Sequence, residues 1–360
     1  MKTVNSIQLF AHNQEIYNKI QKMWKTENRV AVIQATGTGK SYLILKCLYS
    51  AINENKLILA PSIYILEQLQ NEAGEELPNT MLMTYSDLSF DTENKIKDLD
   101  ITMIFLDEFH RCGAETYNNG ILKLLEKYPN AKVLGTTATP VRFLDNERDM
   151  SEELFKGNIA NNLNLSEAIV REILPMPKYI SALYTFDDEV NNLKYRTDNS
   201  KNDEDTKGEI LKEIEVMKNQ LDKSKGIPLI LKKYLDAKNG KFLVFCKNIS
   251  HLNEMKDIVV EWFIKSKVTK NVDVYSIYTG YKDSDKDLEL FKINNSKDSV
   301  KLLFSIDMFN EGVHLKNIDG VILLRPTISP IIYYQQIGRA IQAGDANNPL
   351  IFDFVNNSVT

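Results

Sequence analysis

The sequence predicts two α/β domains in tandem, each a parallel β-sheet covered by helices, joined by a charged helical insertion. Short runs rich in Val, Ile and Leu alternate with helical patterns in both halves of the chain. The 360 residues are 43% hydrophobic, which is enough material for more than one core. A polar and charged stretch from about 187 to 225 separates the two halves. We therefore predict domains over residues 1–175 and 229–360, with a linker and helical insertion over 176–228.

The strands are predicted from short apolar runs, which are typical of strands buried on both faces. In the first half these runs cover residues 30–35, 56–61, 80–85, 101–107 and 131–137. In the second half they cover residues 241–246, 272–278, 300–306, 320–324 and 350–354. Helical periodicity marks residues 62–73, 121–127, 250–265 and 285–293. The alternation of strand and helix indicates parallel pairing.

The insertion contains one amphipathic pattern. Ile210, Ile214, Met217 and Leu221 recur at spacings of four, three and four residues. The pattern fits either a solvated helical spacer with one apolar face or a helix that contacts substrate or a partner, and the sequence leaves both open.

Composition narrows the class of protein. The formal net charge of −5 argues against coating of nucleic acid through bulk charge, although a local basic groove remains compatible with it. The three cysteines are far apart and lack CxxC spacing, so we expect reduced thiols in a cytoplasmic protein and no metal site built from them. The N-terminus lacks the apolar core of a secretory signal, and no apolar run reaches the roughly 18 residues of a membrane span.

The strongest local signal is ATGTGKS at residues 35–41, between an apolar run and a helical one. This is the strand–loop–helix context of a phosphate-binding loop. Thr36, Gly37, Thr38 and Gly39 would wrap the phosphates with backbone N–H groups, and the helix N-terminus would add a positive dipole. Lys40 would reach the β- and γ-phosphates of ATP, and the Ser41 hydroxyl would bind Mg²⁺. Gln34 occupies the position where the general pattern has its first glycine.

A pair of acids follows the apolar run at 104–106. Asp107 would hold the Mg²⁺ ion, and Glu108 would orient or deprotonate the water that attacks ATP. In a parallel sheet, a carboxylate at the carboxyl end of a strand would lie beside the phosphate loop.

The sequence DEFH at 107–110 resembles motif II of the DEAD/DEAH-box proteins in its DExH form. Further matches to this family follow in the family's order between residues 34 and 342: APS at 60–62 (motif Ia), TY at 84–85 (where the family often has a short nucleic-acid contact), TATP at 137–140 (motif III), FCKN at 245–248 (motif IV), residues 305–314 (motif V) and QQIGRA at 335–340 (motif VI). The chain is thus similar to superfamily 2 helicase cores. It most resembles the branch with the motor subunits of type I and type III restriction enzymes, which acts mainly on duplex DNA.

The resemblance implies two RecA-like domains and further site residues. Asp307 and Gly312 of motif V would contact the nucleotide, and Gln335 and Arg339 of motif VI would act in catalysis. Gln14 would bind the adenine edge, although the register allows Asn13 instead. Gln342 stands where many family members carry a second arginine. Either Arg339 alone stabilises the charge on the γ-phosphate, or turnover is slow, or another basic residue helps.

Together these features predict an ATP-driven helicase or translocase that tracks the nucleic-acid backbone, with DNA favoured over RNA and with little sequence preference. Lys40 and Arg339 should face each other across one bound triphosphate. An RNA helicase of the same architecture and a nucleotide-switched interaction module are the alternatives. We identify no nuclease motif, so a restriction role would require an accessory domain or a separate nuclease or specificity subunit.

Overall fold

The computed structural model describes residues 7–142, 148–182, 197, 206–208, 210–212, 226–235, 240–306, 315, 317–326, 330–343 and 348–355. The chain divides into two compact units. The first unit comprises Met1–Met176, Asn310–His314 and Ile341–Asn347, and the second comprises Pro177–Phe309, Leu315–Ala340 and Asn348–Thr360. Each is described by itself below.

The first unit contains a six-stranded parallel sheet and a short antiparallel hairpin. Its strands are β1 (Arg29–Gln34), β2 (Lys56–Ala60), β3 (Thr80–Thr84), β4 (Met103–Asp107), β5 (Lys132–Thr137), β6 (Val141–Arg142), β7 (Arg148–Asp149) and β8 (Ile159–Leu163). The sheet order is β3-β2-β4-β5-β1-β8, and β6 pairs with β7. Since β1 and β4 flank β5, the loops that follow β1 and β4 emerge at the same edge of the sheet.

Helices cover both faces of this sheet because successive residues of each buried strand point to opposite sides. Val30 and Val32 pack into one apolar cluster, whereas Ala31 and Ile33 pack into the other. The helices are α1 (Ala11–Met23), α2 (Lys40–Ser50), α3 (Ile63–Ala73), α4 (Tyr85–Phe90), α5 (Thr92–Ile96), a 3₁₀ helix (Phe109–Gly113), α6 (Glu115–Lys127), α7 (Met150–Phe155) and α8 (Leu165–Val170).

The second unit contains another six-stranded parallel sheet. Its strands are β9 (Lys178–Ser181), β10 (Gly240–Phe245), β11 (Asn271–Ile277), β12 (Ser299–Ser305), β13 (Gly320–Leu323) and β14 (Leu350–Asp353), in the order β11-β12-β10-β13-β14-β9. Its helices are α9 (Gly226–Tyr234), α10 (Ile249–Ser266), α11 (Ser284–Ile293) and α12 (Pro330–Gly338). The core is aromatic: Phe242 contacts Phe263 and Phe352, and Trp262 packs edge-on against Phe354.

The predicted α/β class is confirmed, and all ten predicted strands are present within two residues at their ends. Most strands end one residue earlier than predicted; β3 ends at Thr84 because the Thr84 side chain caps α4 and Tyr85 is already helical. Two edge strands, β8 and β9, were not predicted. Both are short and partly polar: β8 reads IANNL and β9 reads KYIS.

The region between the units bears on two predictions. Lys178–Ser181, within the predicted linker, pairs with β14 as the edge strand of the second sheet. Of the predicted amphipathic helix, Ile210 is helical, while Ile214, Met217 and Leu221 lie outside the described residues. The domain limits 1–175, 176–228 and 229–360 stay predictions.

Within the part of the chain that the structure describes, no helix combines the length and the apolar character needed to cross a bilayer.

Candidate functional site

The phosphate loop joins β1 to α2 and depends on two glycines with left-handed backbone. Gly37 has φ of 85° and Gly39, the residue before α2, has φ of 89°. Only glycine adopts such angles without strain. Lys40 begins α2, and its Nζ donates to the carbonyl oxygens of Gln34 (3.0 Å) and Ala35 (3.4 Å), so the ammonium group lies over the loop. Thr36 and Ser41 are both partly exposed beside it.

Helix α1 is attached to this loop through Asn13, which is fully buried. Asn13 Nδ2 donates to the carbonyl oxygens of Thr38 (2.7 Å) and Gly39 (3.4 Å), and Asn13 Oδ1 accepts from Gln34 Nε2 at 3.0 Å. Gln34, which replaces the first glycine of the general motif, is therefore part of the hydrogen-bond network that supports the loop.

Gln14, the predicted adenine ligand, lies elsewhere. Its Nε2 donates to Asn18 Oδ1 at 3.1 Å along the exposed side of α1. The spacing of the buried residues of α1 could have predicted that Asn13 faces the loop, because Asn13, Ile16 and Ile20 recur at helical intervals. The adenine-binding role of Gln14 stays a prediction, and Asn13 is the amide that touches the loop.

A short segment near the C-terminus also contacts the phosphate loop. Residues 341–347 belong to the first unit, and the Ala343 N–H donates to the Gly37 carbonyl at 2.9 Å. A Cβ atom at Gly37 would lie 2.0 Å from the carbonyl oxygen of Ile341. Gly37 is thus required both by its φ angle and by this close approach. Gln342, the residue at the position of the second family arginine, lies in the same segment.

The acidic pair lies at the carboxyl end of β4. Asp107 Oδ1 accepts from Thr136 Oγ1 of β5 at 2.6 Å and from the Glu108 N–H at 3.1 Å. Burial and the neighbouring charge of Glu108 raise the pKa of Asp107 to about 6, against the opposing effects of the Thr136 hydrogen bond and the Lys40 charge. Lys40 follows β1 and Asp107 ends β4, on either side of β5 at the same edge of the sheet, so the loop lysine and the acid belong to one site.

Mg²⁺ fits these residues. A carboxylate whose pKa is raised by a second carboxylate is a site where a divalent cation relieves like-charge repulsion. Ser41 and Asp107 supply the oxygen donors that Mg²⁺ prefers, and the phosphates of a nucleotide would complete such a coordination shell.

Thr137 links Glu108 to motif III. Its hydroxyl lies 3.2 Å from Glu108 Oε2, 2.8 Å from His110 Nδ1 and 2.8 Å from the Thr139 carbonyl oxygen. His110 Nδ1 is also 3.4 Å from Glu108 Oε2. The hydroxyl has one proton, so it cannot donate to the Glu108 carboxylate and the Thr139 carbonyl at the same time. A change in the hydrogen bonding of Glu108 therefore alters the hydrogen bonding of the TATP segment.

The TY pair at 84–85 occupies a position where the family often contacts nucleic acid, but its two side chains are not available for such a contact. Thr84 is 9% exposed and forms a capping box with Asp87, and Tyr85 is fully buried. Neither side chain is free to contact nucleic acid. Ser86 is the exposed residue that follows them.

In the second unit, the predicted catalytic residues of motif VI lie at the end of α12. Gln335 and Arg339 are 9% and 7% exposed. The helix is attached to the edge of the sheet, because Tyr333 hydrogen-bonds Tyr179, whose hydroxyl donates to the buried carboxylate of Asp353.

The predicted nucleotide contacts Asp307 and Gly312 of motif V lie outside the described residues, as does Glu311. Lys40 and Arg339 belong to different units, so their approach across a triphosphate stays a prediction.

Two family models match the chain. The model described as "Type III restriction enzyme, res subunit" matches residues 6–85 and 78–142, and "Helicase conserved C-terminal domain" matches residues 226–344. The first match covers the phosphate loop and the acidic pair, and the second covers motifs IV to VI.

Individual proteins show the same similarity. A type I restriction enzyme EcoAI endonuclease subunit from Escherichia coli is 23% identical over 95% of this chain, which spans 45% of that subunit's length. The structure of the ATP-dependent type ISP restriction-modification enzyme LlaBIII bound to DNA covers 97% of the chain with a TM-score of 0.66 and 16% identity, over 28% of its own length. The Hef helicase domain of Pyrococcus furiosus covers 97% at a TM-score of 0.55 and 15% identity, over 96% of its length. The two six-stranded sheets match the tandem RecA-like domains of these proteins.

Proposed function

Because the chain is a helicase core of superfamily 2, in the branch that contains the motors of restriction enzymes, we propose that it hydrolyses ATP in order to move along nucleic acid, with DNA favoured over RNA. One observation carries the proposal: the phosphate-loop lysine and the carboxylates of Asp107 and Glu108 meet at one edge of the first sheet. A lysine on a phosphate loop beside two acids is the arrangement that cleavage of a nucleoside triphosphate requires.

Each residue of the first unit's site has its own role in the proposed reaction. The backbone of Thr36 to Gly39 surrounds the phosphates, and Lys40 offsets the charge of the β- and γ-phosphates. Ser41 and Asp107 would hold Mg²⁺, which would supply further stabilisation of the negative charge on the phosphates. Glu108 accepts a proton from the attacking water.

The second unit completes the proposed reaction. Arg339 stabilises the developing charge on the γ-phosphate, and Gln335 orients the attacking water. Asp307 and Gly312 contact the nucleotide from motif V. Closing of the two units on ATP and their opening after hydrolysis would shift the nucleic-acid contacts of one unit relative to those of the other.

Coupling to the nucleic-acid track is proposed to pass through Thr137. The Thr137 hydroxyl contacts the Glu108 carboxylate and the Thr139 carbonyl, so loss of the γ-phosphate next to Glu108 changes the bonding of the TATP segment. The expected contacts are to phosphates and carry little sequence preference.

DNA is favoured because the similar type ISP enzyme was solved bound to DNA. The chain spans less than half of the E. coli subunit, so we also propose an accessory domain or a nuclease or specificity subunit as a partner. The alternatives are an RNA helicase and a nucleotide switch without translocation. Gln342 in place of a second arginine is the feature that favours the switch.

ATP turnover measured with duplex DNA, single-stranded DNA and RNA separates these functions. The wild type should be stimulated most by duplex DNA. Lys40→Ala should abolish turnover, whereas Lys19→Ala, which changes an exposed lysine of α1, should leave it unchanged. Stimulation by RNA alone would favour the RNA helicase, and ATP binding without stimulated turnover would favour the switch. Turnover in Lys40→Ala equal to the wild type would refute the proposed site.

A further inference from the structure

The peptide bond between Asp107 and Glu108 determines where the Glu108 carboxylate points. Glu108 has φ of 50°, a left-handed conformation that a residue with a side chain rarely adopts. Such a conformation persists only where the surroundings hold it. The contacts that hold this peptide are therefore part of the site.

Both polar groups of this peptide are fixed. Its N–H, on Glu108, donates to the Asp107 carboxylate at 3.1 Å. Its carbonyl oxygen, on Asp107, accepts from the Tyr85 hydroxyl at 2.8 Å. The first bond uses the same oxygen, Oδ1, that accepts from Thr136. The Tyr85 bond is the one that does not depend on the state of the Asp107 carboxylate.

The position of Tyr85 suits a fixed support. It is fully buried at the start of α4, and the sheet order β3-β2-β4 means that its ring reaches past the end of β2 to the end of β4. Its hydroxyl also hydrogen-bonds the buried Cys112 thiol, on the far side of Glu108 in the sequence. Tyr85 thus contacts the chain on both sides of the proposed catalytic glutamate.

We propose that Tyr85 is a positioning residue for ATP hydrolysis, whose hydroxyl holds the Asp107–Glu108 peptide so that the Glu108 carboxylate faces the attacking water. This inference rests on the proposed function. Since no solvent replaces a hydroxyl in a closed core, its removal leaves the Asp107 carbonyl unsatisfied and free to rotate with the peptide. Nucleotide affinity, which depends on the phosphate loop, is not expected to change.

The test compares two variants that each delete one tyrosine hydroxyl. Tyr85→Phe removes the bond to Asp107, and Tyr128→Phe removes bonds to the carbonyl oxygens of Ile96 (2.9 Å) and Leu99 (2.6 Å), remote from the acidic pair. Tyr85→Phe should lower kcat for DNA-stimulated ATP hydrolysis about tenfold with KM for ATP within about twofold of the wild type. Tyr128→Phe should leave both constants within about twofold. Thermal unfolding midpoints of the two variants show whether either loses its fold.

A double-mutant cycle with Glu108→Gln distinguishes positioning from a general loss of structure. If Tyr85 acts through Glu108, Tyr85→Phe should slow single-turnover hydrolysis no further in the Glu108→Gln background. An equal loss in both backgrounds, a rise in KM that matches the fall in kcat, or a kcat within about twofold of the wild type would each overturn the positioning role. If the wild type hydrolyses ATP and Tyr85→Phe is unaffected, only this inference is refuted. If the wild type does not hydrolyse ATP, the proposed function and the inference are both refuted.

Discussion

Replacing Asp107 with asparagine should stabilise the first unit while destroying its proposed chemistry. The pKa of Asp107 is raised to about 6 from an ordinary 3.8, so the folded chain holds the proton more tightly than the unfolded chain does. The stability that this group contributes is full below pH 4 and is lost as the pH rises towards 6. With about 1.4 kcal/mol for each tenfold change in proton affinity, the ionised carboxylate costs about 3 kcal/mol at pH 8.

Asparagine is a neutral substitute that can keep the local hydrogen bonds, because Thr136 and the Glu108 N–H both donate to Oδ1. In the absence of nucleotide and Mg²⁺, Asp107→Asn should therefore unfold with a free energy higher than the wild type by up to about 3 kcal/mol at pH 8. The difference should shrink to about 1 kcal/mol near pH 4.5.

The two tryptophans provide the assay, since Trp24 lies in the first unit and Trp262 in the second. In a Trp262→Phe background, urea unfolding followed by the fluorescence of the buried Trp24 reports on the first unit alone. Asp98→Asn, a change at an exposed aspartate, is the control and should have little effect. A gain that does not vary with pH, or a less stable Asp107→Asn variant at pH 8, would refute the electrostatic reasoning.

Three further predictions test other parts of the structure. Gly135→Ala should destabilise the first unit by about 1–3 kcal/mol in the same urea assay, because a Cβ there would lie 2.2 Å from the ring of Phe155; unchanged stability would contradict the packing. Asn13→Ala should raise KM for ATP by about fivefold or more, since it removes the loop support at 2.7 Å, whereas Gln14→Ala should change KM less; the reverse order would support Gln14 as the adenine ligand. Arg339→Ala should slow ATP hydrolysis by roughly a thousandfold or more while changing ATP affinity far less, as measured by single-turnover kinetics and equilibrium binding; equal losses would assign Arg339 to binding.

The sequence predicted the strands of the sheet interiors because they are buried on both faces and therefore mostly apolar. Residues 56–60 are all buried, and the chain there reads KLILA. The two unpredicted edge strands, β8 and β9, lack this signal: in β8, Asn161 and Asn162 interrupt the apolar pattern, and their strand character comes from pairing with β1. Hydrogen bonds to a neighbouring strand cannot be recognised from the amino-acid composition of the segment itself.

The candidate site was predictable where a motif carries its own chemistry, as with Lys40 and Asp107. It was not predictable where the function of a residue depends on what lies beside it. Tyr85 reads as a nucleic-acid contact by its position in the motif order, yet it is buried and bonded to Asp107. Asn13 and Gln14 are adjacent amides, and only the register of α1 decides which one faces the loop.

The chain's three thiols are all enclosed: Cys47 and Cys112 in the first unit and Cys246 in the second. Burial raises the pKa of Cys246 to about 12 and that of Cys47 further still. Since maleimide dyes react with the thiolate, the native protein should stay unlabelled. Cysteines introduced by Asn130→Cys and Lys286→Cys, at exposed positions of the two units, would then be the only attachment points for a donor and an acceptor. Energy transfer between the dyes would follow the distance between the two units through the proposed cycle of ATP binding, hydrolysis and release.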